Sequence, residues 1–499
     1  MADKAIRKIV IVGGGTAGWM TAAPLALKLG RACEIVLVES PEIGTVGVGE
    51  ATLPTIRYYN QALGLSPSDF VAKTQATFKL GIEFKDWGHL GNRFFHGFGD
   101  FGPDIEYRSS YQYWQRLARE IHDMPPYEDW SVAAVMARNH RFTPPTGDQP
   151  SASNAYSYAY HFDAGLYAAY LRDYAMARGV ARIEGYINEV EQHPQTGYIA
   201  AVKLRDGRRI EGDLFIDCSG FRGLLIEGVY QAGYDDWSAM LPCNSAQAVP
   251  CASVERYTPY TVSAAKSAGW TWRIPLRHRT GNGHVYCDGF TTDGEAARVL
   301  LDGLDGRALD DPRQLRFTTG RRRKTWIRNC VAIGLSGGFL EPLESTSINM
   351  IENAVGWLLE CFPDRDFRPE LADEFNRRVA RGYENVRDFI VLHYKLTNRT
   401  DSEFWRYCAN MAIPDTLRHQ IELFRETGRV VVYDKEGFSA SSYISILAGL
   451  GVAPKADDPL IHLMDLRKLH AHYYQLRQVI AQTVNAMPDH THYVRQLVS

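Results

Sequence analysis

A chain of 499 residues, 45% hydrophobic and 23% charged with a formal net charge of −3, has room for two or three modules and shows neither a disordered composition nor a nucleic-acid binder's basic excess. Its eight cysteines, at 33, 218, 243, 251, 287, 330, 361 and 408, form no CxxC pair, which argues against a zinc site or disulfide framework and fits a reducing cytoplasm. No apolar stretch reaches the roughly 18 residues of a membrane span, and the basic start (Lys4, Arg7, Lys8) leads into a run broken at Gly13-Gly14-Gly15, which reads as a strand and not as a signal peptide.

In chain order, Ile9–Val12 is predicted as an apolar strand, Gly13–Gly18 as a glycine turn, Thr16–Leu29 as a helix kinked at Pro24, and Cys33–Val38 as a strand ending at Glu39. This βαβ opening carries GxGxxG. Gly13 would make the tight turn, Gly15 admit a pyrophosphate and Gly18 let helix and strand close up; Thr16 and Ala17 open a helix whose N-terminus faces the phosphates, and Glu39 is spaced to accept from a ribose 2′-hydroxyl.

Further on, Ser66, Pro67 and Asp69 mark a helix start that would carry Lys79 into the helix's later turns, where a lysine is ordinarily solvated. In Phe95-His96-Gly97-Phe98-Gly99, His96 and Phe98 suit either a ring-stacking pocket or a buried turn. Short alternating strands from Ala181 to Gly220 predict a β-meander that returns to the sheet at 214–217. The stretch from about Val254 to Gly289 predicts a larger sheet, and from about Asn353 the pattern is helical, with apolar stripes through Phe389–Leu396, Ile444–Leu450 and Leu463–Val484. Arg321-Arg322-Arg323-Lys324 reads as a solvated face, and the C-terminal histidines 462, 470, 472, 490 and 492 lack ligand spacing, so no metal is expected.

The glycine motif alone does not separate FAD from NAD. Two later apolar strands ending in glycine-rich turns, at 217–220 and at 331–339 with Gly334 and Leu335, favour a two-nucleotide flavin fold. The expected fold class is therefore α/β (α+β): a Rossmann-like, FAD-binding flavin-monooxygenase module over 1–360, discontinuous around a substrate-covering β-sheet insertion near 225–320, then a helical subdomain over 361–499 completing the substrate pocket.

Three runs together resemble the signatures of the flavin-dependent tryptophan halogenase family: 334–346 (GLSGGFLEPLEST), 270–275 (WTWRIP) and 217–224 (DCSGFRGL). The likeness extends over nearly the whole chain. It implies that reduced FAD (FADH2), delivered by a separate NADH-dependent flavin reductase, makes hypohalous acid from O2 and chloride or bromide. It further implies that Lys79 receives the oxidant by hydrogen bond or as a haloamine, and that Glu344 stabilises the ring cation and takes its proton. The backbone of Thr346 and Ser347 would hold the halide, Trp270 and Trp272 would keep substrate from the flavin, and His96 and Phe98 would sandwich an indole.

Each residue has a plainer reading as well: core packing for the tryptophans, helix capping for Glu344-Ser345-Thr346. Ser347 stands where tryptophan-specific members usually have glycine, which makes bromide worth testing against chloride. The tyrosine-and-glutamate lid that grips free tryptophan is not recognisable in Glu436–Tyr443, so a different small aromatic substrate is expected. An aromatic hydroxylase and a non-catalytic flavin-binding protein are the rival readings, and a homodimer is one assembly the sequence allows.

Overall fold

The computed structural model describes residues 4–42, 49–147, 151–433 and 437–499. The chain divides into two compact units: Met1–Ala76 with Phe162–Ser238 and Arg316–Glu384, and Thr77–His161 with Ala239–Leu315 and Asn385–Ser499. The helical C-terminal stretch thus clusters, from Asn385 onward, with 77–161 and 239–315. The helix Pro369–Lys395 supplies residues to both units.

In the first unit, Lys8–Val12 lies between Glu34–Glu39 and Leu214–Asp217, all parallel, with Ala181–Glu184 beyond the former and Cys330–Ala332 beyond the latter. Strand alternation decides what covers each face. Val10, Val12, Val36 and Val38 pack on the meander through Ile187, Ile199, Val202 and Leu204. The intervening residues face the other way, where Leu37 meets the helix Thr16–Leu29 at Gly18. That helix runs unbroken through Pro24, so the expected kink does not interrupt it.

In the second unit, Ser245–Ala252, Arg279–Tyr286, Gly269–Pro275 and Thr261–Lys266 pair antiparallel in that order; Gly81–Lys85 then joins Thr261–Lys266 in parallel and Arg93–Gly97 antiparallel. The predicted helix over Lys79 is corrected: helix Pro67–Lys73 ends, Gln75 takes φ +54°, and Thr77–Lys79 is a strand paired with Ala159–Asp163. The Thr74 hydroxyl bonds back to the Phe70 carbonyl at 2.7 Å, and β-branched Thr77 favours the extended form that follows.

All eight cysteines are buried free thiols. No helix among the described residues is long and apolar enough to cross a membrane.

Glu352, on helix Ser347–Glu360, is partly exposed as a residue, yet neither carboxylate oxygen is accessible or makes a well-formed hydrogen bond; Thr55 and Asn349 are the polar side chains beside it. Burial pushes its carboxyl up to about 8 and that of Glu50 to about 7. A raised carboxyl keeps its proton in the folded state after the unfolded chain has lost it, so stability falls as pH rises toward the folded value. Between pH 6.5 and 8.5 the unfolding free energy should drop by on the order of 2 kcal/mol, mostly through Glu352. Thermal melts should show Glu352→Gln removing most of that slope.

Candidate active site

The first unit builds a nucleotide cradle. Gly13 has φ +112°, its N–H donates to the Val38 carbonyl at 2.8 Å, and a Cβ there would stand 2.2 Å from the Cys218 carbonyl oxygen. A Cβ on Gly18 would meet the Gly13 oxygen at 1.9 Å, so the helix start and the turn close to backbone contact. Glu39 lies over the turn, against the space a Gly14 side chain would fill, and is paired with Arg182.

Gly15 is the N-cap of the Thr16–Leu29 helix, with no side-chain cap and no acid in the first turn, which leaves N–H groups of Thr16, Ala17 and the next residues for an anion. Gly334, φ +79°, closes on the same helix start, where a Cβ would be 2.6 Å from that of Ala17; Leu335 follows in the same turn. Turns that close to backbone contact at Gly13 and Gly18, beside an uncapped helix start, fit a dinucleotide such as FAD.

Arg322, which sequence reading placed on a solvated face, is buried instead. Its guanidinium binds Glu227 at 2.7 Å and the Ser336 carbonyl at 3.3 Å, and the Ser336 hydroxyl donates to the Asp217 carbonyl. The Asp217 side chain accepts from the N–H and hydroxyl of Ser219 and from the N–H groups of Leu225 and Ile226, so both of its buried oxygens are satisfied. These bonds lock the two glycine-rich turns together. Arginine's five donors suit that task, but nothing in the local sequence marks the one arginine of the run that turns inward.

Beyond Gly334 the chain makes a short turn at Pro342–Glu344, with Glu344 fully buried and Ser345 at φ +61°. Thr346 is the N-cap of helix Ser347–Glu360, which has neither a side-chain cap nor an acid in its first turn. The Thr346 side chain does not cap this helix, and a helix start of that kind can take an anion on its first N–H groups.

The second unit holds the remaining candidates. Lys79 is 0% exposed, against the ordinary expectation for a lysine, and its Nζ lies 5.0 Å from the Phe98 ring centroid. Ring contacts then run unbroken from Phe98 to His96 (6.4 Å), Phe389 (5.8 Å), His393 (5.2 Å), Trp87 (6.0 Å), Trp270 (6.3 Å) and Trp272 (6.1 Å). Phe438 stacks on Phe389 at 3.7 Å, with Tyr443 edge-on at 4.9 Å.

Trp270 and Trp272 share a face, as their spacing requires, and Trp272 lies flat across Gly283, where a Cβ would meet its ring at 2.0 Å. Sequence reading named His96, Phe98 and both tryptophans as candidates; it gave Phe389 and His393 only as part of an apolar helical stripe, because they sit nearly 300 residues from Phe98 with no local pattern to link them to it. Glu436, in the stretch where a lid was sought, lies outside the described residues.

The parallel sheet, the glycine turn and the second turn closing on it define an α/β protein of the flavin-binding type. The chain belongs to the tryptophan halogenase family, whose model matches residues 8–466. It is 35% identical to the 7-chloro-L-tryptophan 6-halogenase KtzR of Kutzneria sp. (strain 744), covering 98% of this chain and 99% of that protein. Among solved structures it is similar to BrvH, a flavin-dependent halogenase from Brevundimonas sp. BAL3 (45% identity, TM-score 0.95, 99% of both chains). Xcc4156, a flavin-dependent halogenase from Xanthomonas campestris, is similar to the same degree (44% identity, TM-score 0.95, 99% of both chains). The chain is accordingly an enzyme, a flavin-dependent halogenase, and neither a hydroxylase nor a flavin carrier.

Proposed function

We propose that this halogenase chlorinates or brominates an indole or similarly electron-rich ring, with Lys79 presenting electrophilic halogen and Glu344 taking the ring proton. The observation that carries the reading is the complete burial of Lys79 beside Phe98, at the end of a wall of aromatic rings. Reduced FAD, supplied by a separate NADH-dependent reductase, would furnish hypohalous acid from O2 and halide when bound in the Gly13–Gly18 cradle.

The protein's own contribution is separation and orientation. Trp270 and Trp272 supply a continuous aromatic face that would keep substrate from the flavin, and His96 and Phe98 offer flat faces to the ring. The Lys79 side chain, as ammonium, donates hydrogen bonds to the oxidant; as a free amine it carries the halogen. Glu344 acts as base on an arenium proton acidic enough that placement outweighs pKa tuning. Halide is held by N–H groups at Thr346 and Ser347. The relatives named as tryptophan halogenases make an indole the first probe.

Incubation with indole, FAD, a reductase, NADH and either bromide or chloride tests the proposal by mass spectrometry. A halogen isotope pattern in the product is expected, and an added oxygen without halogen would sink it.

A further inference from the structure

Two buried histidines that the mechanism does not use flank the strand carrying Lys79. His161 stands directly opposite Thr77 in the neighbouring strand, and Thr77 and Lys79, two apart, share a strand face. The hydrogen bonds orient the imidazole and fix the role of its Nδ1. The Thr77 hydroxyl donates to the Pro275 carbonyl at 2.7 Å, so its oxygen is left to accept from His161 Nδ1–H at 3.1 Å. With burial keeping the ring neutral, His161 Nε2 accepts from the Thr261 hydroxyl at 2.9 Å.

His490 repeats the arrangement on the adjoining residue: its Nε2 accepts from the Phe78 backbone N–H at 3.2 Å, and its Nδ1–H donates to the Tyr257 carbonyl at 3.0 Å. Both rings are neutral Nδ1–H tautomers. Burial holds both below the ordinary histidine range, His490 at about 4, and the Lys79 charge pushes His161 further the same way.

We propose that His161 is a positioning residue for Lys79: as a neutral imidazole it ties the lysine's strand, through Thr77, to the Pro275 end of the Trp270–Trp272 strand without setting a second cation beside the amine. The inference rests on the reading of Lys79 given above. The ring closes a chain of bonds from Thr261 through His161 and Thr77 to Pro275, so four strands are joined through one imidazole. A protonated ring could not accept from Thr261 and would place positive charge against Lys79. Exchange of its bonds for an apolar group would leave Lys79 buried on a strand no longer fixed in register with the barrier.

The test uses the full chain with FAD, a reductase, indole and bromide, and reads brominated product per FADH2 consumed, KM for indole and the rate of FADH2 oxidation. Thr77→Val, nearly isosteric, and His161→Phe should each lower product per FADH2 by about tenfold, as loss of a supporting shell does, with the other two quantities unchanged. His161→Asn, whose amide can still donate to Thr77, should restore most of the loss. Unchanged coupling in Thr77→Val, no recovery in His161→Asn, or FADH2 oxidation falling in step would each overturn the proposal. Lys79→Ala is run alongside. Normal bromination by that variant would defeat the reading of Lys79 itself, whereas its inactivity together with unchanged coupling in the Thr77 and His161 variants would defeat only the positioning role.

Discussion

Lys79→Ala should lower halogenation of indole by at least about a thousandfold, on the order of 4 kcal/mol of transition-state stabilisation, while reduced flavin continues to be oxidised. The reason is that the proposed roles fall to residues of different units. The Gly13–Gly18 cradle, the Gly334–Leu335 turn, Glu344 and the helix start at Thr346 belong to the first; Lys79, His96, Phe98 and the tryptophan pair belong to the second. Removing the amine leaves the flavin-binding unit intact, so oxidant should still form and should escape to a chemical trap in solution. Lys79→Arg is not a rescue, because a guanidinium cannot become a free amine and needs more room than a fully buried site provides. Wild-type rates in Lys79→Ala, with the trap empty, would end the assignment.

Gly13→Ala should weaken FAD binding more than about a hundredfold, or prevent folding of the first unit. Two costs add there. The φ of +112° is one that L side chains rarely adopt, worth about 1–3 kcal/mol, and the new methyl would lie 2.2 Å from the Cys218 carbonyl, which cannot retreat because the Cys218 N–H is itself bonded to Val12. Titration of quenched FAD fluorescence measures the first outcome and a thermal melt the second. Gly179 is the control: it also has positive φ, at +93°, but a Cβ there meets nothing, so Gly179→Ala should cost stability by only about 1 kcal/mol and leave FAD affinity alone.

Much of the cradle was legible because its signals are local. GxGxxG, the acid about twenty residues on and the two later glycine turns are each a strand followed by a required backbone conformation, and each occupies the predicted place. The tryptophan pair was legible for the same reason, a strand period of two. What resisted reading depends on partners far away in sequence. Lys79 looked like a solvated helix residue because Ser66, Pro67 and Asp69 start a helix clearly while nothing so plain stops it; the stop is a left-handed Gln75 and a run that includes Thr74 and Thr77. His161 carries no motif, and its role comes only from the register that sets it opposite Thr77. Arg322 sat in a basic run whose inward member is chosen by Glu227 and Ser336, one about a hundred residues away and one fourteen.

The burial of every thiol also bears on how long such a catalyst lasts. Cysteine is the side chain that stray electrophilic halogen would consume soonest, and susceptibility follows access. With none of the eight on the surface, wear during turnover should fall first on an accessible thioether such as that of Met176, 44% exposed, and storage without added reductant should be tolerated.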